Sequence, residues 1–149
     1  MKAVGIDPGV HTGFAVWDIE ARKLLAVLSL SIHVALARVL EINRSGDLSH
    51  VVFEDARLRT YFGDSGRERW MGAGSVRRDS QIWAEALADA GITNRAVSPK
   101  DKGAKYSAEA FRRLTGWQEK TNEHGRDAAI LIYGCTAMQR LAIEVAHGA

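Results

Sequence analysis

The chain has one cysteine, Cys135, and two prolines in 149 residues. A lone thiol excludes an internal disulfide framework and any cysteine-only metal site. So little proline, beside 46% apolar and 26% charged residues, excludes a disordered tail protein. No apolar run reaches the ~18 residues that a membrane span needs, because Lys23, His33 and Arg38 interrupt the most apolar region. The opening stretch from Met1 to Val10 lacks the apolar core of a signal peptide. These absences lead us to expect a cytoplasmic protein with no membrane partner. One domain over residues 1–149 is expected, since a chain of this size buries roughly 68–70% of its unfolded surface without a disulfide or metal staple.

Net charge is also scarce, at +2, but it is unevenly placed. Between residues 56 and 78 six arginines (Arg57, Arg59, Arg67, Arg69, Arg77 and Arg78) face only Asp64 and Glu68. Between 95 and 113 six lysines and arginines face only Asp101 and Glu109. The remainder of the chain is therefore acidic. Such asymmetry suits a surface that grips a polyanion on an acidic body. The alternative is a pair of solvated basic faces with no partner.

Three strand-like runs open the chain, Lys2–Asp7, Gly13–Ile19 and Lys23–Leu30. The links between them are too short for helical crossovers, so neighbouring antiparallel strands are expected. Ser31 stands where it would cap a helix with an apolar stripe of Ala35, Leu36, Val39 and Leu40, stopped by Gly46. A fourth strand is expected over His50–Asp55. Ala56–Gly74 has no clean period and reads as a long surface segment, of a length that is usually functional. A helix over Val76–Ala90 with Ile82, Trp83, Ala86 and Leu87 inward, a short strand Arg95–Ser98 and a short helix Ser107–Leu114 follow. A last, long helix is expected over Asn122–His147, where Ile130, Leu131, Gly134, Met138, Leu141 and Val145 recur at helical spacing. The order is that of an α/β domain with a mixed sheet.

Three places carry candidate chemistry. Gly5-Ile6-Asp7-Pro8-Gly9, with Thr12-Gly13 behind it, ends an apolar strand in a carboxylate. Its glycines admit another backbone or a phosphate, or simply make a turn. Glu54 and Asp55 end the fourth strand, and alternation allows only one of them to face a given site. His124 and Asp127 stand at i, i+3 and share a helix face near its first turn. If the first and fourth strands pair, Asp7 and Glu54 converge at one end. Three carboxylates in one place repel unless cations neutralise them, and hard divalent ions such as Mg²⁺ or Mn²⁺ suit oxygen and imidazole donors.

In order and spacing, Gly5-Ile6-Asp7-Pro8-Gly9, Val51-Val52-Phe53-Glu54 and His124-x-x-Asp127-Ala128-Ala129 resemble the RuvC-type Holliday junction resolvases of the ribonuclease H-like superfamily. The chain is short and looks like the compact phage-encoded branch. The resemblance implies a five-stranded mixed sheet with helices on both faces, a homodimer, and cutting of a four-way DNA junction, one strand per subunit. By matching position it implies a metal set of Asp7, Glu54, His124 and Asp127 holding two Mg²⁺ or Mn²⁺ ions. Lys100, Lys102 or Lys105 lies where the family places lysines near the scissile phosphate, and a lysine there stabilises transition-state charge. The aromatic wedge of the family comes soon after the strand-four glutamate. Here Arg57 and Arg59 come first, and Tyr61 or Phe62 is the counterpart. No residue pattern speaks to a helicase partner.

Three rivals remain. A sugar-kinase or actin-type ATPase also carries Asp-x-Gly after strand one but needs two lobes. A ribonuclease acting on RNA–DNA hybrid or precursor RNA would share the fold and the ions. A junction-binding protein that kept the fold without catalysis would lack a working ligand set.

Overall fold

The computed structural model describes residues 1–59 and 67–148, with side chains from residue 74 onward in the second stretch. Five strands, β1 (Lys2–Asp7), β2 (Thr12–Asp18), β3 (Lys23–Leu30), β4 (Leu48–Glu54) and β5 (Asn94–Val97), form one sheet in the order β3-β2-β1-β4-β5. The short links make β1, β2 and β3 an antiparallel meander, as expected. β4 returns through a helix and therefore runs parallel to β1, and β5 runs parallel to β4.

Helices cover both faces, as the alternation of apolar residues along the strands requires. Val4, Ile6, Phe14, Val16, Val51 and Phe53 point to one side, under α1 (Ile32–Arg44) and α2 (Arg67–Asp89). Ala3, Ala15, Trp17, Val27 and Val52 point to the other, under α3 (Ala108–Thr115) and α4 (Glu123–Ile132). The second face has small residues in its middle, and α4 lies very close to it. A Cβ on Gly5 or Gly13 would collide with the carbonyl oxygens of Ala128 and His124 respectively. Gly125 in turn passes over β3, where a Cβ would stand 3.1 Å from the Leu28 carbonyl oxygen.

Several expectations are corrected. α2 begins at Arg67, so the segment read as irregular from 56 to 74 contains a 3-10 turn at Ala56–Leu58 and the first turns of a helix. From the point where its side chains are described, Gly74, Val76, Arg77 and Arg78 of this helix are exposed. Farther along, Ile82 faces solvent, while Asp79 and Ser80 are buried in line with Trp83 and Leu87. Ser80 turns inward because the backbone N–H of Ala56 needs its hydroxyl as acceptor, at 3.2 Å.

The long C-terminal helix is two helices, α4 and α5 (Ala137–Gly148), bent by 81° across residues 133–136. Gly134 takes φ +81° there, and the Trp17 indole donates to the Cys135 carbonyl at 3.0 Å. Met138, Leu141 and Val145 are therefore exposed, and Ile143 is the buried residue of α5. At the helix starts, Ser107 caps α3 by accepting from the Ala110 N–H at 3.1 Å, whereas the Ser31 hydroxyl makes no capping bond. No single helix among the described residues is long and apolar enough to cross a membrane.

The glycine seat is testable by thermal denaturation. Gly13→Ala should destabilise by about 1–3 kcal/mol, the cost of overpacking a tight contact. Gly74→Ala, in open space on the surface of α2, should instead stabilise by about 0.5–1 kcal/mol. Equal effects at the two positions would contradict the close packing of α4.

Candidate active site

Asp7 is the last residue of β1 and Glu54 the last of β4. Parallel pairing sets Gly5 beside Val52 and Ile6 beside Phe53, so both strands end in an acid at the same edge. Alternation puts Asp7 on the face of Ala3 and Gly5, and Glu54 on the face of Val52, which is the face that α4 covers. Asp55 goes the other way. It accepts from the Arg57 backbone N–H at 2.9 Å and from the guanidinium at 2.7 Å. Burial would raise the Asp55 pKa, but these Arg57 contacts hold it below the ordinary carboxylate range.

α4 brings the second half of the site. Asn122 caps it, its side-chain oxygen accepting from the Gly125 N–H at 2.9 Å. The first turns then hang over the ends of β1 and β2, seated on Gly13 and Gly5. Asp127 is buried there, and His124 Nδ1 lies 3.4 Å from Asp7 Oδ2. His11, from the β1–β2 link, places its ring 6.2 Å from that of His124.

The fifth member comes from the loop between β5 and α3. Of the three candidate lysines, Lys102 enters the site: its Nζ touches Glu54 Oε2 and lies 3.1 Å from Asp127 Oδ2 and 3.9 Å from Asp7 Oδ1. Lys100 is exposed, and Lys105 lies 3.8 Å from exposed Glu123. A turn in which Ser98 and Asp101 bond each other's backbone and side chains starts this loop. Arg126 of α4 holds its far end by donating to the Tyr106 carbonyl at 2.9 Å.

The electrostatics follow from crowding. Burial raises the Asp7 pKa to about 6; Lys102 opposes the rise, Glu54 and Asp127 add to it, and the His124 hydrogen bond opposes it. Burial disfavours the Lys102 charge, but the Glu54 hydrogen bond and the surrounding carboxylates outweigh it and raise the lysine pKa. The cluster is short of positive charge. In the arrangement seen, no three His, Cys, Asp or Glu side chains among the described residues stand at metal-holding geometry, and the Lys102 ammonium lies among the acids. The donor chemistry nonetheless fits a hard divalent ion: three carboxylates and an imidazole, with only one ammonium among the acids.

Arg57 is tied to Asp55, and Arg59, Arg77 and Arg78 are exposed. Tyr61 and Phe62 lie outside the described residues, as do the side chains of Arg67 and Arg69. One neighbour was missed: His11 carried no signal beyond its closeness to Asp7 in sequence. The Gly5 and Gly13 seats were legible as positions that admit a backbone.

The pH dependence of stability follows. A folded pKa of about 6 against 3.8 unfolded means that the fold disfavours charged Asp7. Its penalty is absent below the unfolded value, grows as pH rises through that window, and is complete above about 6. Asp7→Asn should therefore raise the melting temperature at neutral pH in EDTA by about 5 °C, or roughly 2 kcal/mol. The difference should vanish toward pH 4. Melting curves across that range that ran parallel would refute this assignment.

No protein-family model matches the chain, and no curated protein matches it. Among solved structures 14 chains match. One is T. thermophilus RuvC in complex with Holliday junction substrate, at 22% identity and TM-score 0.58, covering 99% of this chain and 96% of that one. The fold of this chain is thus the ribonuclease H-like fold of RuvC.

Proposed function

We propose that this protein is a divalent-metal-dependent endonuclease that resolves four-way or other branched DNA by paired nicks, acting as a homodimer. One observation carries the reading: Asp7, Glu54 and Asp127 converge around Lys102, with His124 alongside, at the edge where two parallel strands end. The structural likeness to a RuvC bound to a Holliday junction supports the choice of substrate.

Asp7, Glu54, His124 and Asp127 would hold two Mg²⁺ or Mn²⁺ ions, which supply Lewis-acid chemistry for phosphodiester hydrolysis. Half-buried Asp7 and Glu54 on two strand ends and buried Asp127 on a helix give a rigid frame for such ligands. Lys102 would offset negative charge on the scissile phosphate as it grows in the transition state. Lys100 and Lys105, exposed on either side of it, would meet neighbouring phosphates. Arg59, Arg67, Arg69, Arg77 and Arg78 would extend the grip along the duplex arms. Arg57 would present its guanidinium in the orientation that Asp55 fixes. Tyr61 or Phe62 would stack at the junction centre.

The test is cleavage of a labelled four-way junction, a linear duplex and an RNA–DNA hybrid in Mg²⁺, Mn²⁺ or EDTA. Paired nicks confined to the junction are expected. They should be lost in EDTA and fall by roughly 10³-fold or more in Asp7→Asn, which removes an anionic ligand. Junction binding by that variant should survive, and His124→Ala should cut more slowly in both metals. Cleavage of the hybrid alone would move the function to RNA processing, and binding without cutting would leave a junction-binding module. Alanine at both Arg77 and Arg78 should weaken junction binding and lower its salt dependence by a slope of about 2.

A further inference from the structure

Lys102 differs from the acids around it in what holds it. Asp7 and Glu54 end paired strands and Asp127 lies in the first turns of a seated helix. Their backbones cannot separate without breaking the sheet or lifting α4 from its glycines. Lys102 stands on a loop, between the Ser98–Asp101 turn and the Tyr106–Arg126 anchor. Among the described residues no backbone-to-backbone bond holds positions 102–105, and Gly103 beside it has φ +88°. Yet its side chain is only 11% exposed, against 32% for Lys2 and 68% for Lys105. Its long flexible side chain is packed inward against three carboxylates.

We infer that Lys102 is the resident cation of this site, and that a divalent ion enters by exchanging with its ammonium, which swings out on its loop toward the substrate. The inference rests on the reading of these acids as a metal site. The ammonium stands against the carboxylate oxygens that a divalent ion would need, so ion and lysine compete for the same ligands. The rigid members stay, so the loop member moves. The exchange keeps a cation among the acids at every stage: the lysine reduces the mutual repulsion of the empty acids, and the metal then frees the lysine to meet a phosphate. Metal affinity is therefore lowered by the work of displacing the lysine, and metal-free stability is raised by its presence.

The test compares wild type with Lys102→Met, which keeps a long side chain but no charge. Mn²⁺ binding is measured by calorimetry, and melting is followed in EDTA and in Mn²⁺. The variant should melt lower than wild type in EDTA, by about 5 °C. It should bind Mn²⁺ roughly tenfold or more tightly, and it should gain more in melting temperature from the ion. Equal or weaker Mn²⁺ binding by the variant, with wild type binding normally, would overturn the exchange and leave the metal reading standing. Absence of Mn²⁺ binding by both chains would overturn both.

Wild type alone supplies a second readout that does not depend on the variant folding. The buried ammonium should give a slowly exchanging ¹H–¹⁵N lysine signal in the metal-free protein, and saturating Mg²⁺ should abolish it. A signal that persists unchanged with Mg²⁺ bound would refute the displacement.

Discussion

The arrangement of this molecule depends on the closeness of one helix to one sheet. α4 lies so near β1 and β2 that its carbonyl oxygens occupy the space where side chains of Gly5 and Gly13 would be. A methyl group at either place would lift the helix and carry His124 and Asp127 away from Asp7. Interiors are packed too tightly to absorb such a shift silently. The two glycines therefore act on the site without offering it any polar group. They fit the alanines of this layer, Ala3 and Ala15 on the second sheet face and Ala128 opposite on α4, where the first face carries isoleucine, valine and phenylalanine.

That proximity creates an electrostatic problem, and the chain answers it from a loop. Three acids gathered at one strand edge raise one another's protonation tendency, and burial raises it further, as Asp7 shows. A single ammonium among them lowers the cost but leaves the cluster short of positive charge. This kind of imbalance is kept where a site must hold something charged, and it lowers stability for the sake of binding. The opposite treatment is visible one residue away. Asp55, turned to the other face by strand alternation, is fully satisfied by Arg57 and caps a turn.

Much of the frame was legible in sequence because it rests on local rules. Link lengths dictate the meander of the first three strands, and alternation dictates which of Glu54 and Asp55 enters the site. Helical spacing joins His124 to Asp127. Errors arose where tertiary contacts overrule the pattern. The apolar recurrence through Met138, Leu141 and Val145 continues across residues 133–136, but the backbone turns there at Gly134, so the same stripe faces solvent in α5. Conversely, α2 begins at Arg67, inside a stretch whose sequence shows no apolar period. Asp79 and Ser80 are buried, and Ser80 supplies the hydroxyl that a neighbouring turn needs as acceptor.

By itself the sequence determined the identity and order of the strand ends and the helix start that carry Asp7, Glu54, His124 and Asp127, because short-range geometry decides where such residues stand within their own elements. Only the tertiary structure decided which lysine joins them. Lys100, Lys102 and Lys105 are equivalent in composition and nearly so in position. Choosing among them depends on how a loop from β5 is clamped by Ser98 at one end and by Arg126, a residue of α4, at the other. That clamp joins parts of the chain some twenty residues apart, and its geometry exists only once α4 has settled on its two glycines.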